Sequence, residues 1–332
     1  MNSLDRYADV FDGIKPWAGY VPKRFIADFL GQLIDIEFHP MLFTDPSFDG
    51  DTVGGGWQET VLPDLGKAVT PADAEAWFEA VDWVIAAQEA RDRYTMITLG
   101  ANYGAQAVGA QRALQACNPM PYKLVAVEPV PGNCTWIRHH MRNNGIDPSN
   151  QWLVPLAIND STAPLFFPVG GAGIGANNCY STNEPAARQN YADDFIKSGR
   201  AAAALRNLLL YNTTGFFKDL VSGHEFKGEI KLISSITLKE LLGPFDLIDY
   251  LEADIQQSEV LVFPPFIELL SKKVRRIHIG THGGDVHELL HRRFADHGWE
   301  IVFSYAPNGR YDSALGRFET NDGVLTVRNP RL

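Results

Sequence analysis

The sequence predicts an α/β fold, a doubly wound sheet of mostly parallel strands. Three observations lead there. From Arg93 onward, short and continuously apolar runs alternate with helical stretches, and strands apolar on both faces belong to parallel sheets covered on both sides. The first run, Tyr94–Leu99, stops at a glycine turn, and the second, Leu124–Val127, stops at an acid. Such strand ends are where sheets of this kind hold ligands. The composition, 45% hydrophobic and 21% charged, is that of a globular chain, which excludes disorder, collagen and coiled coil for its bulk.

The elements follow in order. Residues 1–70 read as irregular, punctuated by Pro16, Pro22, Pro40, Pro46, Pro63 and Gly54-Gly55-Gly56. Within them Phe25–Ile36 is a helix or strand that packs onto something larger. Thr70-Pro71-Ala72-Asp73 starts a helix: Thr70 caps it, Pro71 suits the first position, and Asp73 and Glu75 suit its positive end. The apolar stripe Trp77, Val81, Val84, Ile85 carries that helix to Glu89. After Gly100, a stripe of Ala105, Val108, Ala113 and Leu114 marks the next helix, and another spans Asn133–Asn143. Trp152–Ile158 is a third strand, Asp246–Ala253 a fourth ending at Asp254, and Ile277–Ile279 a fifth, followed by a helix over Val286–His297. Glu300–Tyr305 and Val324–Val327 close the sheet as a pair. Residues 168–225 interrupt the alternation with Gly-Gly-Ala-Gly-Ile-Gly at 170–175 and a helical run over 186–210. A segment this long is a functional lid or an insertion, and it is expected as a cap over the strand ends. The expected organisation is an N-terminal extension, 1–92, and a main domain, 93–332.

The 29 Lys and Arg stand against 40 Asp and Glu, a net charge of −11. That balance opposes a sequence-independent grip on nucleic acid and attraction to an anionic membrane. Cys117, Cys134 and Cys179 have no metal-binding spacing and read as free thiols in a reducing compartment. The start, Met-Asn-Ser-Leu-Asp-Arg, lacks a basic stretch followed by an apolar one, so a secretory signal is not expected there. No uncharged apolar stretch reaches the roughly 18 residues that span a bilayer. A soluble, cytoplasmic protein is expected, with homo-oligomerisation open.

The turn after the first strand is Gly100-Ala101-Asn102-Tyr103-Gly104. Glycines at this place let the backbone approach a ligand. Its spacing is GxxxG, unlike the GxGxxG of a dinucleotide site. Glu128, ending the second strand, can accept both hydroxyls of a ribose. Turn and acid together suggest a nucleoside ligand without a pyrophosphate, S-adenosylmethionine.

Leu99–Gly104, Val127-Glu128-Pro129, Asn143-Asn144 and Asp254-Ile255-Gln256-Gln257-Ser258-Glu259 together resemble the motifs of the FkbM-type S-adenosylmethionine-dependent methyltransferases, over residues 93–305. The resemblance implies a class I methyltransferase fold, Rossmann-like, with a seven-stranded sheet that is mostly parallel and has an antiparallel C-terminal strand. It implies O-methylation of a hydroxyl on a carbohydrate, glycolipid or secondary metabolite, with a small molecule or glycan as acceptor. The cofactor-binding set is then Gly100, Ala101, Asn102, Tyr103, Gly104, Glu128, Pro129 and Asp160. Departures are Thr98, where the family has an acid that helps hold the methionine end; Glu252 for a lysine, reversing a charge at the strand end; Gln257 for a glycine; and Gly280 for an acid before the retained His282. These departures leave open a cofactor-binding protein without catalysis.

Methyl transfer to an alcohol needs the oxygen positioned and its proton removed. Asp254, at the end of strand four, can orient the hydroxyl or bind a divalent cation, for which His282 is a further candidate ligand. His282, at the end of strand five, is the candidate base. Glu259 is equally a first-turn acid favoured by the helix dipole. Asn177, Asn178 and Tyr180 are candidates to face a polar acceptor. His287-Glu288-Leu289-Leu290-His291 matches the HExxH of zinc peptidases. A buried stripe of Val286, Leu289, Leu290 and Phe294 would leave both histidines at the surface, partly exposed and without metal.

Overall fold

In the computed structural model, residues 4–38, 53–169, 180–187 and 229–332 are described. Residues 1–160 with 236–332 form one compact unit, and 161–235 form a second.

The first unit is built on seven strands: β1 (Tyr94–Leu99), β2 (Tyr122–Val127), β3 (Trp152–Val154), β4 (Ile248–Ala253), β5 (Val274–Thr281), β6 (Glu300–Tyr305) and β7 (Gly323–Arg328). Their order across the sheet is β6-β7-β5-β4-β1-β2-β3. β7 runs antiparallel to both neighbours, and the pairs from β5 through β3 are parallel. This order, with the reversed β7, is the class I methyltransferase fold. The order turns back between β4 and β1, so a crevice opens at the carboxyl ends of those two strands.

Successive side chains on a strand face opposite ways, and here both faces are buried. Tyr94, Met96, Leu124, Ala126 and Tyr250 join a core with α1 (Pro71–Glu89), α2 (Ala105–Cys117) and α3 (Pro131–Asn143). Ile97, Leu99, Val125, Leu251, Ile277 and Leu325 join the opposite core with α4 (Leu238–Leu242), α5 (Glu259–Val262), α6 (Ile267–Lys273) and α7 (Gly284–Asp296). Thr70 and Asp73 close a reciprocal capping box on α1, with Pro71 at its start.

Several boundaries differ from the sequence reading. The third strand ends at Val154, and Ala157–Ile158 belongs to a separate two-stranded sheet. α3 starts earlier, at Pro131, where proline's missing N–H lacks a helical partner in any case. Strands β6 and β7 are separated by a hairpin of Arg310–Ser313 and Gly316–Glu319. The stretch before residue 70 contains two further strand pairs, Ala18–Val21 with Gly56–Glu59 and Phe25–Ala27 with Leu33–Asp35. It packs on the main core through Phe11, which meets Phe29 and Trp77 edge-on. Asn144 fixes it further: its side chain accepts from Leu33 N (2.8 Å) and donates to Leu33 O (2.9 Å).

In the second unit, Leu165–Val169 pairs antiparallel with Glu229–Ile233, and Phe167 stacks on Tyr180 at 5.1 Å. The glycines of 170–175, Asn177, Asn178 and most of the helical run over 186–210 lie outside the described residues. Among the described residues no helix is long and apolar enough to cross a membrane.

Candidate cofactor and active site

The turn after β1 is held by its own strands. Gly100 N and Ala101 N both donate to Val127 O at 3.0 Å. Gly100 has φ +75°, and a Cβ there would stand 2.0 Å from the Asp254 carbonyl oxygen. Glycine is therefore required by the close passage of the β4 end, a different reason from the ligand approach that the sequence suggested. Asn102 adopts φ +48°, a left-handed conformation that asparagine tolerates better than most residues. Gly104, at φ +88°, begins α2 and faces Ile137. Tyr103 stacks on His140 (5.6 Å), whose Nδ1 lies 3.2 Å from Tyr103 O. Burial pushes His140 down to about 4, so its ring is neutral and Nδ1 carries the hydrogen that Tyr103 O accepts.

Glu128 is 3% exposed. Its Oε2 accepts from Asn102 N (2.8 Å), and its Oε1 accepts from Val130 N (2.9 Å) and Asn133 Nδ2 (3.2 Å). Burial raises its pKa to about 7 against the lowering effect of these bonds. A carboxylate offers about four acceptor directions. Three are in use, so one remains on Oε2 for a ligand hydroxyl, where the sequence reading expected two. Pro129 continues the strand end into α3, half-buried, and Asp160 is exposed beyond Ala157–Ile158.

Across the crevice, the structure brings Asp254 and His282 together. His282 Nε2 lies 3.3 Å from Asp254 Oδ1 and 3.6 Å from Asp322 Oδ1, while Nδ1 lies 2.9 Å from Glu259 Oε1. The Gln256 amide touches both Asp254 and His282 at 2.8 Å. Glu259 is fully buried, whereas the Asp254 side chain is 52% exposed. Gln256 and Gln257 have φ +53° and +73°. The loop thus demands left-handed backbone where the resembled family has a glycine, and such strain gathers at functional sites.

Burial lowers the His282 pKa, but the Glu259 hydrogen bond and the charges of Asp254, Glu259 and Asp322 outweigh it and raise the pKa to about 9. At pH 7 only about one molecule in a hundred then carries the neutral ring. This opposes the expectation that His282 is a resting base: it is held as a cation. Its Nε2–H is directed at Asp254 and Asp322, and the Gln256 amide, whose oxygen and nitrogen are interchangeable within such a network, lies beside it. Asp254 is the exposed carboxylate left facing the crevice.

A polar layer underlies the strand ends on the α1 side. Thr98, Glu252, His278 and Thr326 stand in register on four adjacent strands. Thr98 Oγ1 donates to Glu252 Oε2. Asp82 of α1, fully buried, gathers Arg276 Nη1 (2.9 Å), His278 Nδ1 (2.8 Å) and Thr326 Oγ1 (2.6 Å). Glu252 is 2% exposed, and burial holds its pKa well above the carboxylate range. The expected charge reversal at the strand end is therefore absent, because this acid points into the core. An acid does lie beside position 98, supplied by the neighbouring strand.

The HExxH histidines are placed otherwise than expected. His287 is buried, 6% exposed. Its Nδ1 meets Thr281 Oγ1 at 2.9 Å and its Nε2 meets Ser304 Oγ at 3.0 Å, with His291 Nδ1 on the same hydroxyl at 2.8 Å. α7 buries Val286, His287, Leu290 and Phe294, so the buried stripe is rotated toward His287, and Leu289 is only partly covered. Burial and the neighbouring His291 push His287 down to about 4. Both its nitrogens are engaged by hydroxyls.

The sequence missed Asp322, Gln256 and Asp82. Asp322 precedes β7 and reaches His282 only because β7 lies beside β5, a pairing that carries no local signal.

No family model matches the chain, and no curated protein matches it. Among solved structures it is similar to precorrin-6Y C5,15-methyltransferase from Geobacter metallireducens GS-15 at 10% identity, with 75% of this chain and 86% of that one covered and a TM-score of 0.38. It is similar to methyltransferase FkbM from Methylobacillus flagellatus KT at 11% identity, covering 76% of this chain and 54% of that one, TM-score 0.38. It is also similar to Aeropyrum pernix fibrillarin, solved with natively bound S-adenosyl-L-methionine, at 10% identity, covering 73% of each chain, TM-score 0.32. The class of the fold rests on the strand order and the reversed seventh strand.

Proposed function

We propose that this chain is an S-adenosylmethionine-dependent methyltransferase acting on a hydroxyl of a small molecule or glycan. The observation that carries the reading is a buried carboxylate at the end of β2 that grips the turn after β1, and, at the end of β4 on the other side of β1, an exposed carboxylate held beside an imidazolium. When bound, S-adenosylmethionine supplies an electrophilic methyl group on a sulfonium. Gly100–Gly104 and Glu128 would hold its nucleoside, with Glu128 Oε2 accepting a ribose hydroxyl. Asp254 accepts the hydrogen of the acceptor hydroxyl and takes its proton as the oxygen becomes bonded to carbon. His282, fixed by Glu259, opposes the rise that burial imposes on the Asp254 pKa and orients that carboxylate, acting as a positioning residue.

The test is calorimetric titration of S-adenosylhomocysteine into wild type and Glu128→Ala. Losing one charge-assisted hydrogen bond should weaken binding by about 1.5–3 kcal/mol, or roughly 10- to 150-fold. Equal affinities remove Glu128 from the site. Absence of binding to wild type, together with no gain of a methylene mass in metabolites incubated with protein and S-adenosylmethionine, overturns the reading.

A further inference from the structure

The N-terminal extension reaches the turn after β1 from behind. Asp28 Oδ1 accepts from Leu30 N (2.9 Å) and Gln32 N (2.8 Å), which folds residues 28–32 into a tight turn with Gly31 at φ +77°. The next residue, Leu33, is clasped through its N–H and carbonyl by Asn144, whose Nδ2 also donates to His140 O (2.9 Å) on α3. Gln32 is thus fixed at both of its backbone neighbours, and it is only 1% exposed.

Its side chain acts on the two carbonyls that flank Gly104. Gln32 Nε2 donates to Ala105 O at 3.0 Å and lies 3.4 Å from His140 Nε2. His140 is neutral with its hydrogen on Nδ1, so its Nε2 lone pair accepts the second amide hydrogen while Nδ1–H serves Tyr103 O. An amide nitrogen satisfies both acceptors at once, whereas the amide oxygen in its place would face Ala105 O as acceptor against acceptor. Tyr103 and Ala105 stand on either side of Gly104, which has φ +88°. Without a Cβ, glycine has no steric preference of its own for that angle.

We propose that Gln32 is a positioning residue for the cofactor: acting on Ala105 O directly and on Tyr103 O by way of His140, it clamps the Gly104 pivot so that the Gly100–Gly104 turn and the start of α2 are held ready for the nucleoside. The inference rests on the methyltransferase reading and gives the N-terminal extension a part in it. Releasing the clamp lets the turn visit other conformations, and apparent affinity falls by the fraction of molecules that remain competent.

The test titrates S-adenosylhomocysteine into wild type, Gln32→Leu, His140→Phe and the double variant, each at a temperature where its own melting curve shows it folded. Leucine replaces the amide without a donor, and phenylalanine keeps a ring to stack on Tyr103 without either nitrogen. Gln32→Leu should weaken binding by about 3- to 10-fold, the size of one or two net hydrogen bonds. In the His140→Phe background the same substitution should lose less than about twofold, because a pivot already released on the Tyr103 side is no longer clamped. A lower melting temperature with unchanged affinity makes Gln32 structural only and overturns the proposal, as does an equal loss of affinity in both backgrounds. If Gln32→Leu does not fold, two other readouts decide: nitrogen NMR of wild type should show His140 as the neutral Nδ1–H tautomer, and His140→Phe alone should weaken binding by about 3- to 10-fold. The Nε2–H tautomer, or unchanged affinity in His140→Phe, overturns the proposal. A wild-type protein that does not bind S-adenosylhomocysteine overturns the methyltransferase reading and this inference with it, an outcome visible without any variant.

Discussion

His282 should make the stability of this protein fall as the solution becomes alkaline. Its pKa is 6.5 in an unperturbed chain and about 9 in the folded protein. A group whose pKa is raised on folding contributes stability that is fully present below its unfolded pKa and is lost as pH rises through the folded pKa. The window is therefore pH 6.5 to 9. The rise of roughly 2.5 units, at about 1.4 kcal/mol per unit, corresponds to about 3 kcal/mol. The ring is only 10% exposed and its main partner, Glu259, is fully buried, so solvent screening takes little from that figure. The perturbation is the double substitution His282→Gln with Glu259→Gln, which removes the pair without stranding a buried charge. Urea unfolding at constant ionic strength should show wild type losing about 3 kcal/mol more than the double variant between pH 6.5 and 9.5. Parallel loss in the two proteins would refute the reasoning, as would an NMR titration midpoint for His282 near 6.5. Either result would also return His282 to the role of resting base.

Two further predictions concern the backbone turn and the HExxH helix. Gly100→Ala should destabilise by about 2–5 kcal/mol in urea unfolding, combining a left-handed backbone with a clash against the Asp254 carbonyl; Gly104→Ala, where the new methyl meets only the Ile137 side chain at 3.3 Å, should lose about 1–2 kcal/mol, and the reverse order would refute the packing account. His287→Ala should destabilise by about 1–3 kcal/mol through the stranded Thr281 and Ser304 hydroxyls while leaving the metal content after dialysis unchanged; one tightly held zinc per chain, lost in the variant, would contradict the structural assignment of that helix.

What the sequence determined by itself was whatever depends on neighbours along the chain. Largely continuous apolar runs placed all seven strands between Tyr94 and Arg328, because a strand covered on both faces is mostly apolar. Thr70 and Asp73 announced α1, because a capping box closes within four residues. Gly100–Gly104 and Glu128 stood out because strand ends are marked by a change of residue type. The tertiary structure alone decided which distant groups meet, since burial and charge depend on every element packed around a residue. His282 reads from sequence as a neutral base, yet Glu259 and Asp322 make it a cation. Glu252 reads as a reversed charge at the strand end, yet the register of β4 beside β1 turns it into the core against Thr98. His287 reads as a surface histidine of a metal motif, yet one residue's rotation of the buried stripe on α7 sets it between two hydroxyls. Gly100 is glycine because the Asp254 carbonyl, more than 150 residues along the chain, passes 2.0 Å from where a Cβ would stand, a steric demand that exists only once β4 has inserted next to β1.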